Sequence, residues 1–145
     1  MRELPRQLSP DELAELFDGR TRLVELLAER ENPLEEAPEV ITELSEEEKV
    51  EALNAHPAIG ARHLSERSAL EQGGTTDPAT LTELAYLNQV YEEKFGFRFV
   101  VFVNRRSKTE ILDVLRERLE RTREEELDTA VEELVAIAED RWRRS

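Results

Sequence analysis

Apolar residues recur at spacings of three and four along most of the chain, which predicts a series of amphipathic helices. The first helix is expected to begin after Ser9, where Ser9 and Glu12 form a capping box and Pro10 suits the first turn. Gly19 is expected to end it. Residues 34–44 form a further predicted helix. Other predicted helix starts lie at Thr21, Ser45, Asp77, Ser107 and Thr122.

The helix predicted after Asp77 differs from the others in its inward face. Its stripe includes one polar residue, Asn88, among the apolar residues Leu81, Leu84, Tyr91 and Phe95. Gly96 is the predicted C-cap.

Residues 97–103 (FRFVVFV) are the one strand-like stretch, because they are β-branched and aromatic. No second such stretch is available to pair with it, so we expect a buried extended segment or a short helix there. The pattern as a whole predicts an all-α fold, a single compact domain over residues 1–145 with about seven or eight helices.

Composition excludes several classes of function. The net charge of −14 argues against nucleic acid as a partner, since phosphate-backbone binding needs a basic surface. No apolar run is long enough for a membrane helix. The chain has no cysteine, which excludes disulfides, thiolate nucleophiles and zinc–cysteine sites. These features fit a reducing compartment, and we expect a cytoplasmic protein.

His56 is the side chain best suited to move protons near neutral pH. It is predicted to lie where a helix ends, directly before Pro57. The alternative is a capping or packing histidine. Pro57 and Gly60 make a shared helix face with His63 improbable, and no carboxylate lies at a standard metal-binding spacing. We therefore predict no metal site.

Two further groups of residues have both a functional and a plain interpretation. Ser68, Glu71 and Gln72 combine a hydroxyl, a carboxylate and an amide directly before a glycine-rich loop, or they are a solvated helix end. Residues 97–103 are either a pocket wall or ordinary core. If the segment is a pocket wall, Asn88 would supply polar groups to the pocket, as would Asn104, Arg105 and Arg106 directly after the segment.

Three segments, in order, resemble one family. They are residues 55–60 (AHPAIG), Ser68-x-x-Glu71-Gln72, and Leu87-Asn88-x-x-Tyr91-x-x-Lys94-Phe95-Gly96-Phe97-x-Phe99-Val100. These segments are similar to the motifs of the 2-oxo-4-hydroxy-4-carboxy-5-ureidoimidazoline (OHCU) decarboxylases of urate degradation. The resemblance extends more loosely over nearly the whole chain. It implies a helical fold and a small-molecule substrate, OHCU, which loses CO2 to give (S)-allantoin without a cofactor. It is also compatible with a homodimer.

The resemblance also implies roles for individual residues. His56 is implied as the catalytic histidine. Glu71 joins it as a catalytic group that binds the ureido N–H groups and orients the imidazole. The backbone of residues 99–103 is implied to hold the hydantoin-like ring. The implied substrate-binding positions are Pro57, Ser68, Gln72, Phe99, Val100, Val101, Phe102, Val103, Asn104 and Arg105.

One departure from the family keeps two alternatives open. The family commonly has an arginine at about the position of Asn104, whereas here Arg105 and Arg106 follow it. The chain is therefore either an OHCU decarboxylase or a same-fold enzyme acting on a related ureido or hydantoin substrate. A non-catalytic, acidic helical interaction module is the third interpretation. Convergence of His56, Glu71 and Asn88 on one cavity would favour catalysis.

Overall fold

A computed structural model describes residues 3–57 and 78–144, and within these residues all regular secondary structure is helical. The helices are α1 (Pro10–Phe17), α2 (Arg22–Ala28), α3 (Ala37–Thr42), α4 (Glu46–Ala55), α5 (Pro78–Phe95), α6 (Lys108–Arg118) and α7 (Arg123–Arg144). The all-α prediction is confirmed. None of these helices is both long and apolar enough to cross a membrane.

Capping side chains define where α1, α2, α4, α6 and α7 begin, whereas α3 begins without a side-chain cap. Ser9, Ser45 and Ser107 each accept a hydrogen bond from the N–H three residues later, and the glutamate at that position accepts one from the serine N–H. Thr122 makes the same reciprocal pair with Glu125. Thr21 caps α2 as expected. Each cap satisfies backbone donors that a helix start leaves without partners.

Two boundaries differ from the sequence prediction. The first helix ends at Phe17, and Asp18 rather than Gly19 takes the left-handed conformation (φ 62°). Gly19 instead allows close packing, because a Cβ at that position would lie 3.1 Å from the Cβ of Ala55. The helix expected over residues 34–44 is shorter, since only α3 is helical and the residues directly before it form turns.

The C-terminal helix α7 is central to the packing. It contacts α1, α3 and α4, while α5 packs along α6 and α1 packs on α2. The inward stripe of α7 includes Leu127, Val131, Leu134 and Ala138, all buried. These contacts bring the C-terminal ends of α1 and α4 beside α7.

The 97–103 segment after α5 is non-helical, and four of its seven residues are buried: Phe97, Phe99, Val100 and Val101. Gly96 (φ 80°) ends the helix in a left-handed conformation that glycine adopts without strain. The segment has no regular secondary structure, which confirms the prediction that it does not form a sheet. Its aromatic residues pack around Tyr91, with ring centroids 5.9 Å away for Phe97 and 5.1 Å for Phe99.

The inward stripe of α5 begins later than the sequence predicts. Leu84, Asn88, Tyr91 and Phe95 are buried, but Leu81 is 38% exposed. The prediction that Leu81 faces inward is therefore wrong.

Candidate active site

His56 lies at the C-terminal end of α4, as the sequence predicts. Its N–H donates to the Leu53 carbonyl (3.1 Å), and its own backbone is extended. Pro57 follows and lacks an N–H, which is why the helix stops there. The imidazole is buried, with 11% of the side chain exposed.

A carboxylate from a distant part of the chain contacts this imidazole. Oδ2 of Asp18 lies 2.9 Å from Nδ1 of His56 and 2.8 Å from Nη1 of Arg141. The same guanidinium nitrogen donates to the Leu16 carbonyl at the end of α1 (2.8 Å). The ends of α1 and α4 and the last turns of α7 therefore meet around one carboxylate oxygen.

The charge on Asp18 follows from these neighbours. Burial alone raises the pKa of a carboxyl group, because it disfavours the charged form. At Asp18 the contacts with His56 and Arg141 outweigh burial and hold the pKa below its usual value. Asp18 is therefore an anion near neutral pH, and it balances the buried guanidinium of Arg141.

Arg98 connects His56 to the 97–103 segment. Its Nη1 donates to the His56 carbonyl (2.8 Å), and its backbone N–H donates to Oδ1 of Asn54 (3.0 Å). The first bond satisfies a carbonyl at the end of α4 that has no partner inside the helix. The two bonds fix the segment beside the histidine.

A buried charged network supports the same segment from behind. Nη1 of Arg118 donates to the Val100 carbonyl (2.7 Å), and its Nε donates to Oε1 of Glu126 (2.7 Å). The Tyr91 hydroxyl donates to the same oxygen (2.6 Å), and Arg121 donates to the other carboxylate oxygen (3.0 Å). Burial and the bond to Glu126 raise the pKa of Tyr91, so the phenol stays a donor.

Along the 97–103 segment, residues with a hydrogen-bonded backbone group alternate with residues whose backbone groups bond to no described residue. Groups of Arg98, Val100 and Phe102 bond to Asn54, Arg118 and Glu133, respectively. Within residues 3–57 and 78–144, the N–H and C=O groups of Phe99 and Val101 have no hydrogen-bond partner. Alternation of this kind is typical of an extended chain with one open edge.

The turn after the segment holds the residues offered as a substrate clamp. Asn104 and Arg105 are exposed and have positive φ angles of 45° and 66°. Arg106 donates through Nε to the Val103 carbonyl (3.2 Å) and through Nη2 to the Phe102 carbonyl. Its guanidinium therefore holds the end of the 97–103 segment.

Of the remaining predicted residues, Pro57 and Asn88 belong to the described part of the chain and the others do not. Pro57 is half-buried directly after His56. Ser68, Glu71 and Gln72, and also His63, lie outside the described residues. Asn88 is buried, and among the described residues its Oδ1 has no hydrogen-bond partner. Such an atom is rare in a folded interior, where more than nine in ten buried polar groups are paired.

Sequence reasoning missed the charged residues around His56 and behind the segment. Arg118 follows Leu115 by three positions, and Arg141 follows Ala138 by three. Both therefore fall on the apolar faces of α6 and α7. A charged residue on a predicted apolar face was the available signal, and it resembles the signal that singled out Asn88. Asp18 gives no such signal, because it follows the last helical turn of α1.

Comparisons with known proteins agree with one another. The sequence model of the OHCU decarboxylase family matches residues 2–143. The 2-oxo-4-hydroxy-4-carboxy-5-ureidoimidazoline decarboxylase of Halalkalicoccus jeotgali is 31% identical over 68% of this chain and 58% of its own length. The uric acid degradation bifunctional protein TTL of Arabidopsis thaliana is 37% identical over 62% of this chain and 31% of its own. The chain thus spans between about a third and three fifths of these curated relatives.

The fold has a close counterpart among solved structures. A crystal structure of OHCU decarboxylase in the presence of (S)-allantoin superposes with a TM-score of 0.76 and 28% identity, covering 90% of this chain and 94% of the other. A crystal structure of (S)-allantoin synthase shares the fold at a TM-score of 0.68 and 23% identity, covering 91% of this chain and 47% of the other. This chain therefore belongs to the OHCU decarboxylase family.

Proposed function

We propose that this chain removes CO2 from OHCU to give (S)-allantoin, with His56 as the group that moves the proton. The observation that carries the proposal is a buried imidazole that Arg98 ties to a segment with an open backbone edge. Family membership and the relative crystallised in the presence of (S)-allantoin support the same substrate class.

The chemistry needs little beyond positioning and proton transfer. When the bond to the carboxylate breaks, its electron pair moves into the adjacent C=N group of the ring, so no added electron sink is required. The hydroxyl on the same carbon becomes a carbonyl and gives up its proton to His56. Holding the carboxylate out of the ring plane places the breaking bond beside the group that receives its electrons.

The 97–103 segment is the proposed support for the ring. Phe99 and Val101 each offer an N–H donor and a C=O acceptor that no described residue uses. An amide-containing ring presents the complementary pair of groups, as a neighbouring strand does at a sheet edge. Val100, Phe102 and Val103 belong to the same proposed wall.

Glu71, Ser68 and Gln72 complete the proposed site through the family resemblance. A carboxylate at Glu71 is suited to accept the ureido N–H groups of the substrate. Asn88 is a further candidate contact, since its buried amide oxygen is an acceptor that pairs with none of residues 3–57 and 78–144. Asn104 and Arg105 stay proposed contacts at the exposed turn.

The test is to produce OHCU in place from urate with urate oxidase and 5-hydroxyisourate hydrolase, and then add this protein. OHCU decays by itself to racemic allantoin, so circular dichroism for one enantiomer is the decisive signal. We expect rapid appearance of (S)-allantoin with the intact chain and its loss in His56→Asn. His63→Gln is the matched control, since it replaces the other histidine of the chain.

A related ureido or hydantoin compound is the second candidate substrate. The observation that favours it is the exposed position of Asn104 and Arg105, where the family commonly has an arginine. The same assay separates the two candidates. A folded protein that leaves OHCU at its spontaneous rate but converts a hydantoin would support this alternative.

A homodimer and a cytoplasmic location are further parts of the proposal. The family resemblance supports the first, and the cysteine-free composition supports the second. Light scattering after size-exclusion chromatography tests the dimer, and cell fractionation tests the location.

A further inference from the structure

We propose that Asp18 is a positioning residue that keeps a proton on Nδ1 of His56 and thereby assigns Nε2 as the atom that exchanges protons with the substrate. The inference rests on the proposed function in giving His56 that role. The position of the ring proton itself does not depend on the reaction.

The chemistry of the contact determines which nitrogen carries the proton. An ionised carboxylate can only accept a hydrogen bond, and a neutral imidazole has one donor nitrogen and one acceptor nitrogen. Oδ2 of Asp18 lies 2.9 Å from Nδ1 of His56. Two acceptors at that distance would repel each other, so the proton belongs on Nδ1 and the lone pair of the neutral ring on Nε2.

Arg141 helps to keep Asp18 ionised near neutral pH. The Arg141 side chain is 1% exposed, and its Nη1 lies 2.8 Å from the same Oδ2 that faces His56. The carboxylate pKa lies below its usual value because these contacts outweigh burial. Protonation of Asp18 near neutral pH, which would free Nδ1, is therefore disfavoured.

The backbone around Asp18 holds the carboxylate in place. Asp18 has a φ of 62°, a conformation that aspartate and asparagine tolerate better than most residues. Gly19 packs so closely against Ala55 that a Cβ there would lie 3.1 Å from the alanine Cβ. Ala55 is the last residue of α4 and directly precedes His56, so this contact fixes the end of α1 beside the histidine.

This arrangement stabilises the charge that forms on His56. As the C–C bond to the substrate carboxylate breaks, the substrate hydroxyl loses its proton to Nε2 of His56. The imidazole then becomes an imidazolium beside the Asp18 anion. Two substrate atoms each gain a proton: the ring nitrogen that received the electron pair, and the carbon that becomes the stereocentre. Two protons enter the substrate and one leaves, so turnover takes up one proton overall and Nε2 returns its proton.

Nuclear magnetic resonance tests the position of the proton directly. The chain has two histidines, so His63→Gln leaves His56 as the only imidazole. Long-range 1H–15N correlations of the neutral ring in this variant should show a protonated Nδ1 and a bare Nε2. A proton on Nε2 would overturn the inference. This measurement needs no substrate, so it holds its meaning even if the proposed reaction fails.

Kinetics test the positioning role. Asp18→Asn keeps the shape and suits the positive φ, but it removes the charge and can present an amide N–H toward Nδ1. We expect kcat for (S)-allantoin formation to fall on the order of 10²-fold with little change in KM, since general base catalysis contributes that much or more. Asp11→Asn is the matched control, because Asp11 is an exposed carboxylate on α1, the helix that directly precedes Asp18.

The two measurements together decide the inference. A folded Asp18→Asn protein with wild-type kcat would contradict it, as would a loss confined to KM. If Asp18→Asn does not fold, the ring-proton measurement on the His63→Gln protein decides alone. If the wild-type chain forms no (S)-allantoin, the proposed function fails, and the same measurement still supports or overturns the Nδ1 assignment.

Discussion

Arg98 and His56, which are 42 residues apart in sequence, are joined by a hydrogen bond. The Arg98 guanidinium donates to the His56 carbonyl over 2.8 Å. The Arg98 N–H also donates to Oδ1 of Asn54, which lies two residues before His56 in the last turn of α4. These bonds set the distance between the end of α4 and the 97–103 segment. If the segment supports the substrate ring, they also set the distance between the ring and the imidazole.

Replacing Arg98 should therefore reduce activity more than stability. Arg98→Met keeps the aliphatic stem and removes the bond to His56, and we expect kcat/KM to fall about tenfold because a small misplacement of reacting groups is costly. The free energy of unfolding should fall by only about 1 kcal/mol, the net worth of one hydrogen bond. Steady-state kinetics and urea denaturation measure the two effects.

Arg116→Met is the matched control for this substitution. Arg116 is a half-exposed arginine on α6 that forms ion pairs with Asp113 and Glu83. Surface pairs contribute little to stability, and the partners of Arg116 belong to α5 and α6 rather than to the end of α4. Equal activity losses in the two variants would contradict a specific role for Arg98.

The network behind Val100 should behave differently, because its charges are buried. Arg118→Met leaves Glu126 without its nearest cation in the interior, which costs about 3–5 kcal/mol when one partner of a buried pair is removed. Arg118→Met combined with Glu126→Met removes both charges, and we expect it to be less destabilising than the single Arg118 variant. Denaturant unfolding of the wild type and the two variants tests this order.

A reversal of that order would show that the pair is not the main source of the stabilisation. Activity should remain low in the double variant even where stability recovers. The reason is that the Val100 carbonyl still lacks the 2.7 Å bond from Arg118. Recovery of both properties together would mean that the network supports only the fold.

The sequence predicts the helices well because their ends are determined locally. Ser9, Ser45 and Ser107 each form the expected capping box, and a local hydrogen bond needs no distant residue. Pro57 correctly predicts the end of the helix that carries His56. The glycine rule fails at Gly19, since Asp18 takes the left-handed position and the glycine is needed for contact with Ala55 instead.

The site was harder to predict because its contacts are long-range. His56 stood out by residue type, yet its partner Asp18 lies 38 positions away, and Arg141 lies 123 positions beyond Asp18. Periodicity describes which face of a helix is buried, but it does not tell which helix ends meet. The sequence therefore identified the imidazole and left out the carboxylate and guanidinium that surround it.

Asn88 offers a test that separates stability from function. Its Oδ1 is buried with no hydrogen-bond partner in the described part of the chain, and such an atom costs about 1–3 kcal/mol of desolvation. Asn88→Leu is of similar volume and should raise the free energy of unfolding by about 1 kcal/mol. If Asn88 contacts the substrate, KM should rise in the same protein. Thermal unfolding and the (S)-allantoin assay check the two effects.

Gln89→Leu is the matched control, because it is the adjacent amide residue on α5 and pairs with Glu93 near the surface. Gln89→Leu should change neither the free energy of unfolding nor KM appreciably. Greater stability with an unchanged KM in Asn88→Leu would assign Asn88 a purely structural role.

Asp18 should also make stability depend on pH below about 4. Its pKa is lower in the folded protein than the usual value of 3.8, because the contacts with His56 and Arg141 outweigh burial. Well above that value the carboxylate is ionised in both the folded and the unfolded state, and its contribution to stability is complete. As the pH falls, the unfolded chain takes up a proton first, so the contribution decreases and is lost once the pH passes the folded-state pKa.

Comparison with Asp18→Asn isolates this contribution. Folding also lowers the pKa values of the capping glutamates Glu48, Glu110 and Glu125, but these are present in both proteins and cancel in the difference. The gap in unfolding free energy between wild type and variant should therefore be widest above about pH 4 and narrow toward about pH 2. Urea denaturation across this range measures the gap. A gap that stays constant as the pH falls would mean that the contacts with His56 and Arg141 do not lower the pKa of Asp18.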